Sequence, residues 1–420
     1  MKRTPFCQAA YACIVLFGIT VLGYSCDSNN DFSKTSKDYI GKAAAAAEVL
    51  QKNYDCTIGV YKEPEVVHWW PSAVGLETII DYTTLTGSDK YLRVDCSLEQ
   101  VDVISNTFEE APRSQDAPDF INDYYDDNGW WAITWIKAYD YTHETRYLEM
   151  AKTIFDEMTE GWDETTCGGG LWWKRNPNQY KAAIQNELFL VVAARLSLRT
   201  NEENGSEVYL EWAQRTWEWF KNSGMINSFN LINNGLDQDN QDNNCKNDEK
   251  PTWTYNQGVI LGGLVDLYKS TGDIELLAQA QAIAQTALYR LSYENGVLQE
   301  VCEPLNNCDG DQKAFKGIFM RYLAYLYDNL KVLDPDTMIK VKAATEKIVV
   351  YQYLKDINSE SYDTLSFYEK HIILNADSLW ANARNTLNQF GLKWIGPFNC
   401  STVPKQTSAL SALNAAIPFD

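Results

Sequence analysis

Thr86-Gly87-Ser88-Asp89-Lys90-Tyr91-Leu92 is a turn that the chain uses again as Thr142-His143-Glu144-Thr145-Arg146-Tyr147-Leu148. It returns between Thr200 and Leu210 with an insertion, and once more as Thr271-Gly272-Asp273-Ile274-Glu275-Leu276-Leu277. A recurrence about every 60 residues marks a repeated supersecondary unit. Apolar residues at helical spacing flank each copy and predict helices over 36–53, 70–86, 88–106, 128–144, 145–159, 182–200, 204–222, 256–271, 273–292, 313–329, 336–354 and 377–391. No stretch shows the alternation of a strand.

The connections alternate between this short turn and long segments at 54–69, 107–127, 160–181, 223–255, 293–312 and 355–376. Successive helices run in opposite directions, so the long segments gather on one face. Loops of that length in a compact chain carry function. The helices that follow them are the more apolar set, as in Phe189 to Ala194, and hold small residues such as Gly258, Gly262 and Gly263. They belong inside. Six helical hairpins arranged this way predict an all-α fold, the (α/α)6 toroid, with an open helical solenoid as the alternative. The expected layout is a signal segment at 1–25, one catalytic domain at 26–400 and a C-terminal tail at 401–420.

Polar residues cluster where the inner helices start: Asp126-Asp127-Asn128, Gln185-Asn186-Glu187, Tyr255-Asn256-Gln257, and Asp311-Gln312 with Phe315-Lys316. Asp and Asn ahead of a helix can be capping and nothing more. Four such clusters converging on one mouth point further. In Tyr124-Tyr125-Asp126-Asp127-Asn128-Gly129-Trp130-Trp131 two carboxylates stand between aromatic rings. One carboxyl can protonate a leaving glycosidic oxygen while the other attacks or stabilises the anomeric carbon.

Composition narrows the classes. A net charge of −21 repels phosphate backbones and argues against nucleic acid. With 45% hydrophobic residues the chain can build a large core, and 14 Trp with 25 Tyr suit a sugar cleft as well as a core. Lys2 and Arg3, an apolar run from Ala9 to Leu22, and small Gly23 and Ser25 before Cys26 read as a secretory signal. No other apolar run suggests a transmembrane span, and Ser408 to Asp420 lacks the apolar tail of a lipid-anchor signal. Cys26, Cys56, Cys96, Cys167, Cys245, Cys302, Cys308 and Cys400 are then an even set suited to disulfides, with Cys302 and Cys308 near enough for a local loop. Asn204-Gly205-Ser206 and Asn399-Cys400-Ser401 are glycosylation sequons. With His68, His143 and His371 as its histidines the chain has no zinc spacing, and no metal or cofactor is expected. His68, beside Trp69-Trp70 at the mouth face, is expected to pack on those rings, with contact to a ligand the lesser alternative, and His143 is expected to be a turn residue. The Asp- and Asn-rich stretch 233–250 misses the calcium-loop spacing and reads as a solvated loop, with a weak cation site the lesser alternative.

Five segments together resemble glycoside hydrolase family 76, the endo-α-1,6-mannanases. They are Tyr125-Asp126-Asp127-Asn128-Gly129-Trp130-Trp131, Thr166-Cys167-Gly168-Gly169-Gly170-Leu171-Trp172-Trp173, Asn186-Glu187, Thr254-Tyr255-Asn256-Gln257-Gly258 and Phe315-Lys316-Gly317-Ile318-Phe319. The resemblance covers about 36 to 392 and implies an (α/α)6 toroid with a retaining mechanism, Asp126 as nucleophile and Asp127 as acid/base. Asn128, Trp130, Asn186, Tyr255, Asn256, Asp311 and Lys316 are the expected sugar-binding residues. The implied partner is α-1,6-mannan or a related mannose-containing glycan, met by a secreted monomer outside the cell or at its wall. A wall transglycosylase acting on mannose-containing anchor glycans, and a non-catalytic mannan-binding wall protein, are the alternatives. Neighbouring Cα atoms about 3.8 Å apart let two such side chains reach the roughly 5–5.5 Å of a retaining pair. Their like charges should raise one pKa and leave a proton to donate.

Overall fold

A computed structural model of the chain describes residues 37–97, 99–175, 180–201, 205–238, 245–349 and 363–420. The expected signal, Cys26 and the Asn204 sequon lie outside these residues, as does part of 233–250. Six inner helices form a closed ring: α2 (Trp69–Thr86), α4 (Tyr125–Thr142), α6 (Ala183–Ser197), α8 (Thr254–Thr271), α10 (Phe315–Leu330) and α13 (Val403–Ala416). Each packs on the next, and α13 returns to α2, which is what separates a toroid from an open solenoid. Around them stand α1 (Tyr39–Gln51), α3 (Val103–Ser114), α5 (Thr145–Thr159), α7 (Ser206–Asn222), α9 (Ile274–Arg290), α11 (Pro335–Ile348) and α12 (Thr364–Asn382).

Burial follows from the sequence of each ring. In α6 every residue from Ala183 to Leu196 is buried, the apolar run from Leu188 to Ala194 on all sides and polar Gln185, Asn186, Glu187 and Arg195 toward its ends. In α5 only Tyr147, Leu148, Ala151, Ile154, Phe155 and Met158 are buried, one stripe at helical spacing facing inward. The recurring turn has a physical cause. Gly87, His143 and Gly272 end α2, α4 and α8 with φ of 70°, 60° and 73°, each N–H returning to a carbonyl of the last turn. That left-handed cap reverses the chain within a few residues.

Four expectations need correction. The stretch 88–106 is not one helix. It holds an antiparallel hairpin, β4 (Arg93–Cys96) with β5 (Glu99–Asp102), before α3 begins with Asp102 accepting from Ser105 N at 2.9 Å. The Cys56–Cys96 disulfide pins this hairpin to the segment before α2. Short strands also occur in the long loops: β1 (Tyr54–Asp55), β2 (Val60–Glu63) and β3 (Val66–Val67), then β6 (Lys181–Ala182), β7 (Gly235–Gln238) and β8 (Cys245–Asn247). The helix expected at 377–391 lies instead at Thr364–Asn382, where Asp363 supplies the cap by accepting from Leu365 N.

The largest correction is at 401–420, which is no tail. Helix α13 is the sixth inner helix and is buried along its whole length. Its polar residues disguise it, yet they are engaged inside the ring. Gln406 donates to Ala46 O at 3.0 Å, Asn414 to Thr78 O at 2.9 Å, and Ser408 Oγ accepts from Gly317 N at 2.8 Å.

Glycine sets how closely α10 and α13 approach. A Cβ on Gly317 would stand 2.3 Å from Ser408 Cα, a backbone atom that cannot swing aside. Gly317→Ala should therefore cost about 1–3 kcal/mol by overpacking, read as a lower denaturant midpoint. An unchanged midpoint would show that the two helices can part freely.

Of the cysteines, Cys302–Cys308 closes the expected local loop, and Cys167–Cys245 ties the Gly168-Gly169-Gly170 turn to β8.

Candidate active site

The N-terminal ends of α4, α8 and α10 open onto a cavity of about 360 Å³. Trp70, Asp126, Trp130, Trp173, Tyr255 and Asp311 are among the side chains lining it. Helix α4 takes Tyr124 as its N-cap, with no side-chain cap hydrogen bond, and Tyr125 N is taken up by Trp173 O at 3.1 Å. Asp126 and Asp127 thus sit inside the first turn and are not the capping residues.

Their environments differ. Asp126 Oδ2 accepts from Trp173 Nε1 at 2.9 Å, while its buried Oδ1 has no donor among the described residues. Burial pushes Asp126 up to about 6, against the indole and the first-turn backbone N–H groups that favour its charged form. Asp127 Oδ2 accepts from Asn122 Nδ2 at 2.7 Å. Burial, and then the charge of Asp126 beside it, hold Asp127 well above the usual carboxylate range. At neutral pH the arrangement favours an ionised Asp126 next to a protonated Asp127: one group able to attack, one able to give a proton.

Aromatic walls complete the cavity. Trp70 and Trp130 stack with centroids 5.7 Å apart, and Trp70 Nε1 donates to Asp311 Oδ1 at 2.9 Å. Tyr255 and Phe315 stack at 3.7 Å. Flat ring faces beside carboxylates offer the apolar and polar contacts that a sugar ring needs.

Of the residues expected to hold sugar, Trp130, Tyr255 and Asp311 reach this cavity. Asn128, Asn186 and Lys316 do not. Asn128 accepts from Asn122 N at 2.9 Å and so fixes the partner of Asp127. Asn186 accepts from Leu171 N at 2.7 Å and holds the strip leading to Trp173. Lys316 is buried against Glu303 and donates to Leu392 O at 2.9 Å. Asn256 is wholly buried, its amide without a hydrogen-bond partner among the described residues. His68 is paired with Glu63 at 3.0 Å. Three contributors went unassigned from sequence, Trp70, Asn122 and Trp173. The signal for Trp173 was its place just after Gly168-Gly169-Gly170 and Leu171. Asn122, in an irregular segment, carries none.

The profile of Glycosyl hydrolase family 76 matches residues 40–417. Mannan endo-1,6-alpha-mannosidase DFG5 of Candida albicans is 27% identical over 70% of this chain and 64% of its own length. Mannan endo-1,6-alpha-mannosidase DCW1 of the same yeast is 30% identical over 68% of this chain and 62% of its own. The match thus spans under two thirds of these relatives. In fold, the GH76A alpha-1,6-mannanase from Salegentibacter sp. HEL1_6 superposes with a TM-score of 0.72 at 22% identity, covering 91% of this chain and 100% of that one. Dfg5 from Chaetomium thermophilum gives 0.69 at 19% identity, covering 91% of each. A profile that runs from α1 past the end of α13 takes in all six inner helices and the acid pair, and this chain belongs to glycosyl hydrolase family 76.

Proposed function

We propose that the chain hydrolyses internal α-1,6-mannosidic linkages of mannan with retention of configuration. The observation that carries this reading is the adjacent Asp126–Asp127 pair, buried among aromatic rings and split by its partners into one base-like and one acid-like carboxyl. Asp126 attacks the anomeric carbon, with Trp173 orienting its carboxylate. Asp127 protonates the departing oxygen, then takes a proton from the water that releases the glycosyl enzyme. Asn128 acts through Asn122 to aim Asp127. Trp70, Trp130, Tyr255 and Asp311 hold the sugar.

The names of the relatives support the substrate, as does the Salegentibacter enzyme, an inactive double Asp-to-Ala variant of which was solved with alpha-1,6-mannotetrose. Because one chain closes the whole ring, the cleft needs no second subunit, and we assign a monomer. The expected export signal and the disulfides among the described residues support a location outside the cell or at the wall. No helix among the described residues is long and apolar enough to cross a membrane.

The test is product analysis on unbranched α-1,6-mannan. Oligomers should appear early, with the new reducing end first formed as the α-anomer. A β-anomer as first product would refute double displacement. A labelled acceptor glycan in the same assay should not be extended by mannosyl units; efficient transfer to it would make the protein a transglycosylase instead.

A further inference from the structure

Residues 163–170 curl into a loop whose backbone turns several carbonyls inward. Cys167, Gly168, Gly169 and Gly170 have φ of 56°, 67°, 147° and 94°, a run suited to glycine. At the centre of the loop lies Lys181 Nζ. It donates to Asp163 O at 2.8 Å, Thr166 O at 2.6 Å and Gly169 O at 2.5 Å, with the Asp163 carboxylate at 3.3 Å. Three ammonium hydrogens meet three carbonyls. The Trp172 ring lies 4.6 Å from the same nitrogen, and the lysine side chain is wholly buried.

A buried lysine is costly unless its charge is needed. The need is visible at the far end of the loop. Leu171 N is taken by Asn186, Trp172 N by Gly161 O at 3.1 Å, and Trp173 N by Tyr180 O at 2.8 Å. Tyr180 precedes Lys181, so two neighbouring residues grip both sides of the strip from which the Trp173 indole reaches Asp126.

We propose that Lys181 is a positioning residue, its ammonium serving as the hub of the 163–170 loop and so fixing the arm that presents Trp173 to the Asp126 carboxylate. It touches no substrate. The consequence for turnover rests on the reading of Asp126 as a carboxylate that must be ionised to attack.

The test compares wild type, Trp173→Phe, Lys181→Met and the double variant. Losing the indole donor disfavours the Asp126 carboxylate, so the acid limb of kcat/KM on linear α-1,6-mannan should move up by about one pH unit in Trp173→Phe. Lys181→Met should move it the same way, and the double variant no further than Trp173→Phe alone. A Lys181→Met acid limb at the wild-type pH, or shifts that add, would overturn the proposal whatever happens to the rate.

A second measurement needs neither turnover nor a foldable Lys181 variant. Burial lowers Lys181 to about 8, opposed by Asp163, the charged side chain set against it. Tryptophan fluorescence is titrated in Asp127→Asn, so that the raised Asp127 carboxyl does not contribute, with and without Trp173→Phe. The difference signal should change near pH 8 as the ammonium is lost, and a flat difference would overturn the proposal. A transition near pH 8 in a protein that never cleaves mannan would uphold Lys181 and sink the hydrolase reading, so the two failures are separable.

Discussion

Asp126→Ala should abolish turnover of mannan and of activated aryl mannosides alike, by roughly 10⁴-fold or more, because no covalent glycosyl intermediate can form. Good leaving groups do not help when the attacking atom is missing. The fold should survive. Tyr124 caps α4 without using either carboxylate, so truncation removes no cap. The effect on stability has a definite sign. Folding raises the Asp126 pKa from 3.8 to about 6, so its favourable contribution is fully present below about pH 4 and is lost as pH rises through about 6. At pH 7 the buried charge is a liability, and Asp126→Ala should unfold at the same temperature as wild type or higher. The same pKa governs activity in wild type: kcat/KM should fall as pH drops through about 6 and Asp126 takes up a proton. Calorimetry and a pH–rate profile check both. Retained cleavage of an aryl mannoside by Asp126→Ala would remove it as the nucleophile.

Asp127→Ala should show the opposite selectivity. Natural linkages, whose leaving sugar must be protonated, should slow by about 10²–10⁴-fold. An activated aryl mannoside needs no proton to depart, so its first step should persist and the glycosyl enzyme should accumulate, seen as a burst of aryl alcohol. Azide needs no base and should restore the second step, giving an α-mannosyl azide through two inversions. Azide rescue of Asp126→Ala instead, or identical kinetics for the two variants on activated substrates, would reverse the assigned roles. The alkaline limb of the wild-type profile, set where Asp127 loses its proton, should vanish in Asp127→Ala with activated substrates.

The ring was readable because its short turns obey one local rule. A left-handed cap at Gly87, His143 or Gly272 is fixed by the residues of the turn itself, so it can be seen in sequence. The sixth inner helix was not, because its Gln406, Ser408 and Asn414 find partners on α1, α10 and α2, far away along the chain. Composition alone made it look exposed. The β4–β5 hairpin was hidden for a related reason: its strands are four residues each, too short for alternation to stand out from helical spacing. At the site, the acid pair and its aromatic neighbours were legible as chemistry. The division of labour among the polar residues was not. Asn128, Asn186 and Lys316 are polar at the mouth of the toroid yet turn toward backbone groups that only the folded loops bring near.

The ring also has a history in time. Its closing helix comes after all the others in the chain, and the contacts that seat it, Ser411 on Thr78 and Asp420 on Tyr39, join residues 333 and 381 positions apart. Contacts of such separation form late, since the entropy of closing the intervening chain opposes them until much else is in place. During synthesis, α4 and its two aspartates emerge long before α13 exists to close the ring. The ring therefore closes late, with the arrival of the sixth helix.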